Sequence, residues 1–282
     1  MEFHLIDSKF QGFKDFTLIL PTLSFGNVSQ LAIDLILLNS QAIKIGILDH
    51  SCLSPFIGND CISPDQTNSG QINTSMEVYV KEKFAIIQQR SPVFLMYGKL
   101  FATDLMNWIQ QQNFANIIFV TGADASFRTD KMITNKQIIY QMNMTKSGID
   151  LNFDFHNFNE IEWKNRSLIR SCGLFHRYID EIVLENEKEN EKENENENEN
   201  DQNQKIQIES QMENLSIEPK ETKLGFVALI LFCYEGDNFY ESELMAQAIN
   251  QLTNLITLKP NEWKKPYSWN FLVGREVDAA IY

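Results

Sequence analysis

The chain has 282 residues, 43% of them hydrophobic, enough to bury the core of one large domain or two small ones. Its formal net charge of −14 argues against nucleic acid and against an anionic membrane as partners. Half of that charge is local: residues 185–201, ENEKENEKENENENEND, hold nine acids and two lysines, a net of −7.

The opening MEFHLIDSKFQGF has neither a basic n-region nor an apolar h-region, so no signal peptide is expected. Phe16 to Leu20 is a short apolar run suited to a strand. Pro21 ends it, because proline has no N–H for a sheet ladder. Ser24, Gly26 and Asn27 make a turn, and Gly26 suits a positive φ there. A strongly apolar helix follows. Val28, Leu31, Leu35 and Leu38 share one face, and Ala32, Ile33, Ile36 and Leu37 widen it. Such a helix is expected to be buried on most sides, with Asp34 pointing outward or held by a partner. A strand, a glycine turn and a helix can open a nucleotide-binding unit. Here only Gly26 is present, without G-x-G-x-x-G or a Gly-Lys-Ser/Thr, so a plain strand-to-helix turn is the better reading.

Ala42 to Leu48 reads as a second buried strand, followed by a loop at 49–71 rich in Ser, Asn, Asp, Gly and Pro. Thr74–Val80 and Phe84–Arg90 read as a hairpin turning at Lys81–Lys83. Leu100–Gln112 reads as a helix and Ala115–Val120 as a short buried strand. Residues 122–136 are expected to be loop and Gln137–Met142 a strand. Asn159–Ile169 suggests a helix capped by Asn159 and Glu162. Gly173–Leu184 suggests another, with Leu174, Tyr178 and Ile182 along one face.

Residues 185–222 interrupt the pattern. Their Glu-Asn repeat offers nothing apolar to offset the entropy of ordering, and reads as a disordered insertion inside one domain spanning 1–282. The strand after it, Leu224–Cys233, needs a sheet to join. The apolar run there, Phe226 to Tyr234, is too short to span a bilayer. A helix is expected from Phe239 to Leu258, opened by an Asn238/Glu241 capping box and stopped by Pro260. Trp263, Pro266, Trp269 and Phe271 are expected to pack back onto the domain. This alternation predicts an α/β fold, a mixed, largely parallel sheet with helices on both faces.

Short motifs strung along the chain resemble the proteasome assembly chaperone 2 family. Pro21, Ser24, Gly26, Asn27, Gln30, Leu31, Ala32, Asp34 and Leu35 match its opening pattern. Lys44-Ile45-Gly46 with Cys52-Leu53, Pro55 and Gly58-Asn59 resembles its second strand and loop. Glu77-Val78-Tyr79 and Gln88, Arg90-Ser91 resemble its strand pair. Glu235-Gly236-Asp237-Asn238 resembles the turn before its last helix. Trp263-Lys264, Pro266 and Ser268-Trp269 resemble its C-terminal segment. The resemblance implies a three-layer sandwich similar to nucleoside phosphorylases and peptidyl hydrolases. It implies a chaperone without enzymatic activity or cofactor. This would pair with proteasome assembly chaperone 1 and bind the ring of proteasome α subunits to promote correct 20S assembly. The surplus of aromatics and the near-continuous apolar helix 28–38 suggest an obligate heterodimer, on a surface that the sequence does not identify. Ile281 and Tyr282, close to the hydrophobic-Tyr endings of proteasome-binding proteins, are candidate contacts to pockets between α subunits.

The alternative is a nucleoside-processing or hydrolytic enzyme on a similar fold. His50 with Cys52 is its best base and nucleophile, and Glu235 with Asp237 its best carboxylate pair. Against it, G-x-S-x-G and H-E-x-x-H are missing. His4, His50, His156 and His176 lack the spacing of a metal set. His176, with Arg177 and Asp180, is expected on a solvated helix face, and the Glu235–Asn238 stretch to serve as a turn. Cys52, Cys61, Cys172 and Cys233 form no C-x-x-C and are expected reduced, in a cytoplasmic protein with the nucleus also open.

Overall fold

Nine strands form the central sheet of the computed structural model, which describes residues 1–63, 71–134, 138–143, 159–161, 166–184 and 225–271. Strand β1 is Glu2–Leu5, β2 Thr17–Pro21, and helix α1 Val28–Ser40. Then come β3 (Ile43–Asp49), the small pair β4 (Ile57–Asn59) and β5 (Ile72–Thr74), and the hairpin β6 (Met76–Lys81) and β7 (Phe84–Gln89). Helix α2 is Gly98–Gln111, β8 Asn116–Asp124, α3 Asp130–Thr134, β9 Ile139–Asn143 and β10 Asn159–Glu160. A helix at 175–184 is α4. Strand β11 (Gly225–Cys233) and helix α5 (Phe239–Thr253) close the series.

The sheet order is β1-β3-β6-β7-β2-β8-β11-β9-β10. Its centre, β7-β2-β8-β11, is parallel. Antiparallel pairs flank it: β1, β3 and β6 on one side, β9 on the other. Parallel strands are buried on both faces, and the alternation of side chains shows two cores. From β2, Leu18 and Leu20 face one core and Ile19 the other. From β11, Phe226, Ala228, Ile230 and Phe232 join the first core, and Val227, Leu229, Leu231 and Cys233 the second. Helices α2 and α4 cover the first face through Phe101, Leu105, Phe175 and Tyr178. Helices α1 and α5 cover the second through Ile33, Ile36, Met245 and Ile249. The expected three-layer α/β sandwich is observed.

Strand β11 lies between β8 and β9, so the chain after 185–222 returns to the middle of the sheet. Those residues, like Ile281 and Tyr282, lie outside the described ones. Among the described residues the four cysteines are unpaired, and no helix is long and apolar enough to cross a membrane.

Several boundaries differ from expectation. Strand β8 runs on through Thr121 to Asp124, and 125–134 holds a 3-10 turn and α3 instead of plain loop. Asn159 does not cap a helix. With Glu160 it forms β10 beside β9, and the Ile161 N–H extends that pairing to the Gln141 carbonyl. Helix α5 stops at Thr253, because Asn254 takes a left-handed conformation. The side chain of Asn250 then folds the next turn back, donating to the Ile256 carbonyl and accepting from its N–H. Pro260 opens a 3-10 turn instead of ending the helix. Asn238 makes no side-chain cap, so the Asn238/Glu241 box does not form. Asp237 Oδ1 accepts from the Phe239 N–H in its place. The aromatic tail packs back as expected: Trp269 is buried and stacks on Phe239, and the Lys264 N–H donates to Asn39 Oδ1.

Candidate functional site

Ligands of α/β proteins gather at the carboxyl ends of parallel strands. Here that place is filled by the protein's own loops. Beyond β2, the Thr22 and Thr121 hydroxyls meet at 2.7 Å, and the Ser24 hydroxyl accepts from the Gly122 N–H at 2.7 Å. Ser24 also meets Ser29, whose hydroxyl donates to the Thr22 carbonyl. The Phe25 N–H reaches the Ser171 carbonyl, and the Asp124 N–H that of Arg170. Gly26 has φ 66°, as its turn requires, and a Cβ there would stand 2.5 Å from Asn238 Nδ2. A Cβ on Gly122 would come within 2.7 Å of the Phe25 carbonyl oxygen. Asn238 Nδ2 donates to the Tyr234 and Gly236 carbonyls, locking the turn that carries Glu235 and Asp237. Asp237 serves backbone geometry there, and Glu235 is exposed.

His50 and Cys52 are neighbours, but their chemistry is structural. Asp104 Oδ2 lies 2.9 Å from His50 Nε2, and the Cys52 backbone N–H donates to His50 Nδ1 at 3.1 Å. Nδ1 is therefore the acceptor and Nε2 carries the proton toward Asp104. The lone pair a base would use is taken by an amide, while the Cys52 side chain lies in the core. His176 is not on a solvated face. It is half-buried, its Nε2–H donates to the Ile169 carbonyl at 2.6 Å, and burial lowers its pKa from the ordinary value. Asp180 pairs with Arg166. His4 is exposed beside Glu2, and His156 lies outside the described residues. No group of three or more His, Cys, Asp or Glu among the described residues could hold a metal.

The apolar helix α1 is buried on most sides, as expected, and so offers no partner surface. Residues Val28, Ala32, Ile33, Leu35, Ile36 and Leu37 lie in the second core. The exposed apolar surface sits elsewhere. Between β7 and α2, the 3-10 turn Leu95–Tyr97 presents Leu95 at 97% and Met96 at 90% exposure, with Phe94, Tyr97 and Leu100 about half exposed. Sequence periodicity missed this stretch because a short apolar run gives no alternation to read. The signal was the run's own composition, the five residues Val93 to Tyr97 held between Pro92 and Gly98.

The sequence matches the model of the PAC2 family over residues 18–252. The chain belongs to the PAC2 family. Proteasome assembly chaperone 2 of Xenopus laevis is 29% identical over 272 residues, covering 94% of each chain. The Homo sapiens protein of that name is 26% identical over 279 residues, covering 95% of each. A solved structure of a Thermoplasma acidophilum protein of unknown function shares the fold, with a TM-score of 0.54 at 12% identity, covering 88% of this chain and 81% of its own.

In this PAC2-family chain the separate motifs of the sequence converge on one buried network. Asp34 of α1 accepts from Gln88 Nε2 at 2.7 Å and pairs with the Arg90 guanidinium at 2.8 Å. Glu77, fully buried in β6, pairs with Lys44 of β3. It also accepts from Asn73 Nδ2 and the Tyr79 hydroxyl, each at 2.9 Å. Arg90 Nε stands 3.8 Å from Glu77, joining the two halves. Burial would lower the Arg90 pKa, but the Asp34 carboxylate beside it raises it above the ordinary value. Burial and then the Glu77 charge raise that of Tyr79. Burial pushes the Cys61 thiol, at the network's edge, up to about 12. The C-terminal motif packs nearby: the Ser268 hydroxyl donates to the Cys61 carbonyl at 2.7 Å. These residues hold α1, the β3–β6–β7 strands and the 263–269 segment in one arrangement.

Proposed function

We propose that the chain is a chaperone of 20S proteasome assembly that pairs with proteasome assembly chaperone 1 and binds the α-subunit ring, acting without catalysis. The observation that carries the reading is the PAC2-family match over residues 18–252. Relatives covering nearly the whole chain bear the name proteasome assembly chaperone 2. The internal polar groups suit a binding protein. Asp34, Glu77 and Arg90 are committed to each other, and His50 to Cys52 and Asp104. The enzymatic alternative, a nucleoside-processing or hydrolytic activity, finds its best base already engaged. The chain would act in the cytoplasm, with the nucleus also open.

Ile281 and Tyr282 are proposed as apolar contacts to the α ring. Burying such side chains is worth roughly 1.5–3 kcal/mol each before ordering costs. Replacing both by alanine should weaken ring binding about tenfold or more and leave the heterodimer formed. The decisive experiment is co-expression with proteasome assembly chaperone 1 of the same organism, followed by mass measurement and titration with α-ring intermediates. A 1:1 complex that binds the ring is expected. A chain that stays alone and ignores the ring would overturn the reading.

A further inference from the structure

We infer that the ridge Phe94–Leu100 is the surface on which the permanent partner subunit docks, an inference that rests on the heterodimer reading above. The ridge is presented rigidly. The Phe94 N–H donates to the Cys52 carbonyl at 2.9 Å, the Ser54 N–H to the Pro92 carbonyl at 3.0 Å, and Leu53 bridges Val93. Behind it, Gly98 packs against Leu174 and Arg177, leaving little room for a side chain. A fixed, protruding apolar turn is pre-organised for binding, because little freedom remains to be lost.

Area decides the kind of partner. Five large side chains, each of roughly 150–200 Å² and about half to almost fully exposed, present about 600 Å² of largely apolar surface. That is the upper end of what a monomer exposes, and most of the about 800 Å² that each side of a standard interface buries. Leucine and methionine at the apex flanked by aromatics, with no charge from Phe94 to Tyr97, have the composition of an interface centre. Surface of this kind suits a lasting complex better than an encounter with each new ring. Beside it Lys99 and Arg177 are both exposed, while the nearby carboxylates are engaged, Asp104 by His50 and Asp180 by Arg166. In a chain of net −14 this is a local reversal. The partner face should therefore be an apolar cleft with carboxylates on its rim.

The test co-expresses proteasome assembly chaperone 1 with the chain, either unchanged or carrying Leu95→Asp with Met96→Asp. The double variant should lower affinity for the subunit at least thirtyfold while leaving the melting temperature of the isolated chain unchanged. Lys99→Glu with Arg177→Glu should slow association several-fold at low salt and little at high salt. Hydrogen exchange on the unchanged chain should show protection of 94–100 when the subunit is added, a readout independent of how the variants fold. Equal recovery of the subunit by the double variant and the unchanged chain, or no protection at 94–100, would overturn the inference and leave the heterodimer reading standing. So would loss of ring binding alone with the subunit retained. If the unchanged chain recovers no such subunit, the heterodimer reading itself fails.

Discussion

Helix α1 and the ridge before α2 are both apolar stretches that follow a parallel strand, yet one is largely buried and the other strongly exposed. After β2 the chain enters α1 beneath α5, and Ile33 and Ile36 are fully buried. After β7 it turns outward at Leu95 and Met96 before α2 descends onto the sheet. Composition does not separate the two. What separates them is a covering element: α5 lies over α1, and nothing among the described residues lies over the ridge. The comparison also explains why α1 tolerates a carboxylate. Asp34 lies at the helix edge nearest β7, where Arg90 and Gln88 meet it.

The largest effect should come from breaking that contact. Asp34→Ala leaves the Arg90 guanidinium, 11% exposed, without its main counter-charge. Removing one partner of a buried pair costs about 3–5 kcal/mol. Urea unfolding should show a loss of this size, and a loss under about 1 kcal/mol would mean that Glu77 alone suffices. Next in size is the direct comparison. Ile36→Ala in α1 should cost about 2–5 kcal/mol, whereas Leu95→Ala on the ridge should stay within about 0.5 kcal/mol. Similar losses at the two sites in the isolated chain would erase the distinction between covered and uncovered.

The smallest effect is a pH dependence on the α2/α4 side. His176 has a lowered pKa in the folded chain, so the unfolded chain, at about 6.5, binds the proton more readily. Stability from this residue is therefore complete above pH 6.5 and declines as acid takes the pH below that value. The melting temperature of the unchanged protein should fall by a degree or two more between pH 7.5 and 5.5 than that of His176→Gln. Parallel slopes would show that His176 does not contribute.

The sheet was legible where side-chain period and turn residues agreed, as in the β6–β7 hairpin, β11 and the two strands around α1. It was illegible where a polar residue served tertiary packing. Gly122 looks like the start of a loop, but β8 continues through it because Thr121 bonds Thr22 and Gly122 lets the Phe25 carbonyl approach. Leu255 and Ile256 continue the helical period of α5 and yet leave it, because Asn254 reverses the backbone. Strand β1 gave no signal, being a short edge strand paired on one side only. The motif residues Asp34, Glu77 and Arg90 could be picked out in the sequence. Their convergence could not, since it depends on strand register. The ridge escaped notice for the opposite reason: burial is the usual fate of such a stretch, and only the fold shows that nothing in the described chain covers it.

The position of β11 also bears on how the protein is made. Strand β8 pairs with β11 along all nine residues of each, yet about a hundred residues of chain separate them. At roughly 5–20 residues per second of translation, β8 waits about 5–20 seconds for its neighbour. During that interval the β2–β8 half has an open apolar edge, the kind of surface that recruits other strands. Pairing at such long separation is slow to form even once both strands exist. A ribosome stalled within 185–222 should therefore hold a nascent chain that aggregates or is captured by general chaperones. Release past Cys233 should relieve it, so this chain would itself pass through a stage in need of assistance.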